Sequence, residues 1–387
     1  KALLLKKQLQ KKQKHLQRLS RERQNITESQ EENKMAVTAQ MVKELREMTG
    51  AGMMDCKKAL VEVDGNLEAA VDYLKEKGLA KAAKKAGRVA AEGLVKIAFS
   101  DDHKTAAIVE VNSETDFVSK NEEFVAFVDD LAKLALTAAS NDIEAFKAMS
   151  FEGATVADAL TAKIAKIGEN MSIRRIEKAS GDVVTSYVHG GGRIGVIVVG
   201  NGEDNAAVRE ALTNIAMQVA AMNPQYVSRD EISADELAKI KEITLESALN
   251  DPFTLPKPIL NELLDKAVAG VWGAEDVAVL EEKRNDKSFN FNYLPNFLSQ
   301  EAKAQLAQLA VADKAAISAN KIFLGLVDGR VSKQLKDICL LDQTYVRAED
   351  GKQTVAKYLE SVDKNLSLAK VVRFEVGEGI EKKEEDF

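Results

Sequence analysis

The segment Asn112-Ser113-Glu114-Thr115-Asp116-Phe117-Val118 carries the residue types best suited to act on another molecule. It follows an apolar strand and precedes an amphipathic helix, and connections on rigid scaffolds are where binding groups concentrate. A large ring beside a carboxylate suits recognition rather than bond-making: an exposed Phe can enter a partner's pocket as aromatic hot spots do. The same pattern also fits a Phe117 packed inward with Asp116 capping a turn, and the residues alone leave both readings open.

Covalent chemistry finds little support. Cys56 and Cys339 are far apart, His15, His103 and His189 are scattered, and neither H-E-x-x-H nor C-x-x-C occurs. No metal site or disulfide framework is expected from such spacing. His189 is the one candidate general base, and no partner for it can be assigned from sequence. Gly190-Gly191-Gly192-Arg193-Ile194-Gly195 satisfies G-x-G-x-x-G by letter. A dinucleotide site needs a helix to start there. Here a strand, Ile194 to Val199, follows, so the glycines read as a hairpin turn. There is also no G-x-x-x-x-G-K-[ST]. No catalytic residue and no cofactor is therefore expected.

The chain has 387 residues with Lys+Arg 54 against Asp+Glu 61, a formal net charge of -7. This mildly acidic balance argues against direct nucleic-acid binding, which calls for a basic face. No stretch approaches the roughly 20 apolar residues of a membrane span. Scarce cysteine fits a reducing, cytoplasmic location.

The elements that must position the loop read as follows. In residues 1–34, Ala2, Leu5, Leu9, Leu16, Leu19 and Ile26 follow a heptad interrupted by Lys12 and Arg23. This basic helical extension reads first as appended, with a docking or dimerisation arm as the alternative; Met35-Ala36 reads as a native start. Residues 36–88 read as a small helical bundle, broken at Thr49-Gly50-Ala51-Gly52 and at Asp64-Gly65, with Asn66 capping a third helix that Gly78 ends. An internal duplication follows. Strands Gly93 to Phe99 and Ala106 to Val111 precede a helix from Glu122 to Leu136, and strands Val183 to Val188 and Ile194 to Val199 precede a helix from Asn205 to Met222. Residues 140–170 read as a mainly helical connector. Ser228 to Ala248 has helical periodicity and stops at Asp251-Pro252, and residues 251–319 hold most of the prolines and the single Trp272.

Several blocks together resemble the elongation factor Ts family. They are Thr115-Asp116-Phe117-Val118 with Asn112, Met41 to Arg46 through Thr49 to Leu60, Lys81 to Ala86, and Ile167-Gly168-Glu169-Asn170. His189 with Arg193 to Val196, Ile215-Ala216-Met217 with Val219-Ala220-Ala221, and the ending Arg373 to Lys382 complete the set, in the family's order.

The resemblance implies an α+β fold: an N-terminal three-helix UBA-like domain (36–88), two related α/β core subdomains with antiparallel sheets (89–180, and 181–228 with 320–387), and a protruding helical arm (229–319) with an expanded insertion. It further implies a non-enzymatic guanine-nucleotide exchange factor whose partner is elongation factor Tu, a GTPase with a P-loop and a bound Mg²⁺. Asp116-Phe117 would reach the switch-II side, the ring wedging between partner side chains and the acidic group perturbing the Mg²⁺ environment. Thr115, Val118, Leu45, Met53, Met54, His189 and Met217 are the further candidate contacts, with a core role the stronger reading for Leu45, Met53 and Met54. Gln218 stands where some members carry His. A homodimer stays open. The competing readings are a helical adaptor built on the three-helix domain and an enzyme using the glycine turn.

Overall fold

The computed structural model describes residues 37–381, so the expectations for residues 1–34 and for Met35-Ala36 lie outside the described residues. The chain divides into two units: the first holds residues up to 179, 188–195 and 374 onward, and the second holds 180–187 and 196–373.

Among the described residues the first unit begins with three helices, α1 (Ala39–Thr49), α2 (Met53–Glu62) and α3 (Leu67–Ala83). Thr38 caps α1 by accepting from the Met41 N–H at 3.2 Å, and Asn66 caps α3 by accepting from the Ala69 N–H at 3.1 Å. Each cap satisfies a backbone donor that the first helical turn leaves without a partner. Gly50 ends α1 in the left-handed region at φ 64°. Leu45, Cys56, Ala59, Leu60 and Ala70 form the small core of this bundle. One expectation is corrected: α3 runs straight through Gly78 to Ala83. A Cβ at Gly78 would lie 3.7 Å from the Ala165 methyl. Packing of α3 against α7 (Val156–Ile167) thus outweighs the weak helix propensity of one glycine. Lys75 and Asp158 bridge the same two helices at 3.4 Å.

β1 (Glu92–Phe99) and β2 (Thr105–Ser113) form an antiparallel hairpin in which Val95 faces Glu110 and Leu94 faces Val111. The one-turn helix α4 (Asp116–Ser119) leads to α5 (Glu122–Ala135), which covers both strands. Phe124, Phe127, Val128 and Leu131 come from α5 and meet Ala107, Val109 and Val111 of β2 in one core. The connector is α6 (Ile143–Lys147), a two-residue ladder of β3 (Ser150–Phe151) with β4 (Ala154–Thr155), and α7. The sequence pattern does not mark the third strand, β5 (Met171–Ser180), which gives the order β1-β2-β5.

The closing segment of this unit is held by a buried charge. Glu110 on β2 is fully buried and accepts from Arg175 Nε at 2.5 Å, Arg174 Nη1 at 3.2 Å, Asn112 Nδ2 at 3.0 Å and the Gly377 N–H at 2.9 Å. The Arg175 guanidinium also stacks 4.2 Å from the Phe374 ring centroid. Several charge-assisted donors offset the desolvation that a lone buried carboxylate would suffer. Gly377 is needed where it stands: φ is 72° and a Cβ would fall 2.2 Å from the Ala91 carbonyl oxygen.

A second three-stranded sheet has the order β6-β7-β8, from β6 (Val183–His189), β7 (Ile194–Asn201) and β8 (Ser367–Glu375). The second strand of the hairpin is central in both sheets, so the duplication seen in sequence extends to topology. In the second unit α8 (Ala206–Met222) packs with α15 (Val355–Val362), and Leu212, Ile215 and Val219 are buried.

The arm has its own core. α9 (Ala234–Asn250), α10 (Lys257–Gly270), α11 (Ala274–Asn285), α12 (Gln300–Ala312) and α13 (Lys314–Ser318) contribute to one apolar cluster. Trp272 is buried in it and donates its indole N–H to the Ala302 carbonyl at 3.0 Å. The expected boundary at residue 319 falls inside this cluster. Phe323, Val327, Val331 and Leu335 repeat at four-residue spacing along α14 (Lys321–Ile338) and bury their stripe in the same core. Residues 321–338 thus share one apolar core with the helices from α9 to α13.

Candidate functional site

The loop after β2 is built outward from a buried anchor. Val118 is buried in the β1–β2–α5 core, whereas the adjacent Phe117 is 80% exposed. Neighbouring residues on a helical turn point about 100° apart, so fixing Val118 inward turns Phe117 away from that core. The turn is closed on its far side by Asn121, which receives hydrogen from Glu123 N at 3.0 Å and Phe124 N at 3.2 Å and starts α5. The Ser119 hydroxyl donates to the Asp116 carbonyl at 2.7 Å. The inward alternative for Phe117 does not hold: its side chain is presented to solvent on a short, hydrogen-bonded turn.

Asp116 is exposed and pairs with Lys120 one turn on, at 2.6 Å. The Lys120 hydrogen bond, then its charge and that of Arg193, hold the Asp116 carboxyl below the usual carboxylate range. Arg193 itself meets Glu92 at 3.4 Å. Thr115 precedes the turn at the capping position, yet its side chain makes no cap bond. Its hydroxyl donates to Glu169 Oε1 at 2.7 Å and its N–H to Glu169 Oε2 at 3.0 Å.

The other candidates divide by burial. Leu45 is fully buried and packs the three-helix core, so its side chain supports that domain from within. Met53 and Met54, for which the sequence favours a core role, are 59% and 63% exposed at the start of α2. That places them on the surface, where a thioether offers an adaptable apolar contact. His189 is exposed at the end of β6. The Gly190-Gly191-Gly192 turn that follows has φ of 60°, 67° and 102° and leads directly into β7. Its Gly192 carbonyl accepts from the Val95 N–H at 2.7 Å. The glycines thus serve a strand-to-strand turn, and no helix N-terminus faces a phosphate there. Met217, in the second unit, is half-buried with Arg347 Nη2 3.5 Å from its sulfur. Gln218 is buried and donates to the Gln343 side chain and the Thr344 carbonyl, each at 3.1 Å.

Sequence reasoning placed Glu114 in the candidate segment without a role of its own, and missed Glu169, Lys120 and Arg193 as parts of this site. Glu169 was legible only as a member of a family block, since its partner Thr115 lies 54 residues away. Among the described residues no group of three His, Cys, Asp or Glu could hold a metal ion, and no helix is long and apolar enough to cross a membrane.

Comparison with known proteins gives a consistent result. The family described as elongation factor TS matches residues 114–282 and 291–378. The match starts at the Phe117 loop and continues through most of the arm. Elongation factor Ts of Clostridioides difficile (strain 630) is 45% identical over 356 residues, covering 91% of this chain and 96% of the relative. The protein of the same name from Clostridium novyi (strain NT) is 44% identical over 361 residues, with the same coverage. That from Clostridium botulinum (strain Eklund 17B / Type B) is 42% identical over 359 residues, again 91% and 96%.

Proposed function

The chain belongs to the elongation factor Ts family, and on that premise we propose that it is a guanine-nucleotide exchange factor that binds elongation factor Tu·GDP, disturbs the Mg²⁺ and phosphate site and promotes GDP release. The observation that carries this reading is the 80% exposed Phe117 ring beside the ionised Asp116 on a turn anchored by Val118. An exposed ring held on fixed backbone loses little conformational freedom on entering a pocket. A carboxylate delivered near a bound Mg²⁺ competes for the cation and repels phosphate oxygens.

Linkage sets the energetic requirement. A factor that weakens GDP binding by some ratio is itself weakened by GDP by the same ratio. A thousandfold faster release needs about 4 kcal/mol of barrier lowering. Burying one Phe side chain supplies about 2 kcal/mol. Phe117 is thus the main contributor, and further contacts make up the rest; Met53 and Met54 present a second apolar surface for that purpose. No bond in this chain is made or broken by such a cycle.

The test is release of a fluorescent GDP analogue from elongation factor Tu. The intact chain in substoichiometric amounts should accelerate release and turn over. Release at the spontaneous rate would refute the exchange function.

A further inference from the structure

We infer that Glu169 and Glu114 are positioning residues for the Phe117 ring, joined in a reciprocal clasp that also ties down the linker from the three-helix domain. The inference rests on the exchange reading above and concerns how the ring acquires its direction. A ring that is 80% exposed has few side-chain neighbours to orient it. Its direction is set by the backbone on either side. Val118 and the Asn121 cap hold the C-terminal side. On the N-terminal side only Glu114 and Thr115 separate β2 from α4.

Those two residues are gripped from the connection between α7 and β5. The Glu169 carboxylate takes both the Thr115 N–H, at 3.0 Å, and the Thr115 hydroxyl, at 2.7 Å. The Glu114 carboxylate in return takes the Asn170 N–H at 2.5 Å. Each carboxylate thus binds the connecting segment that carries the other. Thr at a helix start ordinarily bonds its own first turn; here the hydroxyl is turned away from α4 and spent on Glu169. Hydrogen bonds to an ionised acceptor are shorter and roughly twice as strong as neutral ones.

The same connection holds the segment after α3. Arg88 Nη1 lies 3.4 Å from Glu114 Oε2, Asn170 Nδ2 donates to the Arg88 carbonyl at 2.7 Å, and Lys85 Nζ donates to the Gly168 carbonyl. One three-residue connection, Gly168 to Asn170, therefore fixes both the start of the Phe117 turn and the root of the three-helix domain. A partner that contacts Phe117 and the Met53-Met54 surface at once meets two features registered to a common support. Loosening that support misplaces the ring without removing it, and small misplacements cost rate steeply.

The test compares exchange kinetics of the intact chain with Glu169→Ala, Glu169→Gln, Thr115→Val, Phe117→Ala and the double variant Glu169→Ala/Phe117→Ala. Thermal unfolding of each variant serves as the folding check. The expected result for Glu169→Ala is a loss of about tenfold in maximal exchange rate with little change in half-saturation. Glu169→Gln, which keeps an acceptor oxygen, should recover most of it. Thr115→Val, which removes one hydroxyl and keeps the shape, should show a smaller loss of the same kind even if Glu169→Ala folds poorly. In the Phe117→Ala background the Glu169 substitution should cost nothing more, because its effect passes through the ring. Full exchange by Glu169→Ala and Thr115→Val while Phe117→Ala is impaired would overturn the clasp and leave the exchange reading standing. Losses that add to that of Phe117→Ala would overturn it too, since Glu169 would then act elsewhere. Full exchange by Phe117→Ala would remove the ring's role and the clasp's with it.

Discussion

The Asp116 carboxylate sits 2.6 Å from the Lys120 ammonium, on the same turn that holds the Phe117 ring out to solvent. This pairing keeps a negative charge at the tip without burying it. Lys120, with Arg193 further off, lowers the carboxyl's affinity for protons. A depressed folded-state value means that the ionised form is favoured; what stability the pair contributes is present above the unfolded value and lost as pH falls through the folded one. Asp116 should therefore titrate below the ordinary carboxylate value of about 3.9, followed by carboxyl carbon NMR. In Lys120→Ala it should move up toward that value. An unchanged titration in the variant would assign the depression to another cause. Exchange should show no inflection from Asp116 between about pH 5 and 8.

Glu110 and its two arginines yield a stability prediction. Glu110→Ala leaves Arg174 and Arg175 without the buried carboxylate and frees the Gly377 N–H. Breaking such a buried pair costs about 3 kcal/mol or more. Urea unfolding of the variant should show that loss, with easier proteolysis after Arg373. A change below about 0.5 kcal/mol would show that water already shares the site.

Leu45 and the pair Met53-Met54 should respond in opposite ways. Leu45→Ala empties a fully buried position and should destabilise the three-helix domain by about 2–5 kcal/mol. Met53→Ala and Met54→Ala remove exposed side chains and should leave stability within about 0.5 kcal/mol. Their effect should appear as weaker binding to elongation factor Tu, measured by calorimetry. Unchanged binding in the double variant would move the second contact elsewhere.

Glu123 bridges Lys163 and Lys166 at 2.7 and 2.8 Å, joining α5 to α7. Burial alone would raise its proton affinity, but the two lysine hydrogen bonds and charges together outweigh burial and lower it. Its stabilisation is thus present above about pH 4.3, the unfolded value, and disappears as pH falls through the lower folded value. Glu123→Gln should lose no more than about 1 kcal/mol at pH 7 and nothing at strongly acid pH. Equal losses at both pH values would point to packing rather than charge.

The fold was legible where periodicity and punctuation agreed. Gly50 and Asn66 marked helix ends, and the alternating strands before α5 and α8 marked the duplicated units. β5 was missed because Arg174 and Arg175 sit inside it, and their partner Glu110 lies on another strand, 64 and 65 residues away. Gly78 misled because a local helix propensity cannot report the approach of Ala165 from another helix. At the site, residue types pointed to Asp116 and Phe117, but a four-residue turn is too short for periodicity to show which side chain faces out. The Thr115–Glu169 contact spans 54 residues, beyond the reach of any local pattern.

The most direct test of the account compares the intact chain with Phe117→Ala in releasing fluorescent GDP from elongation factor Tu. The ring lies outside the core, so the variant should fold normally. Its maximal exchange rate should fall about thirtyfold, the equivalent of about 2 kcal/mol. Equal rates for the two proteins would contradict the claim that the exposed ring is the main working part.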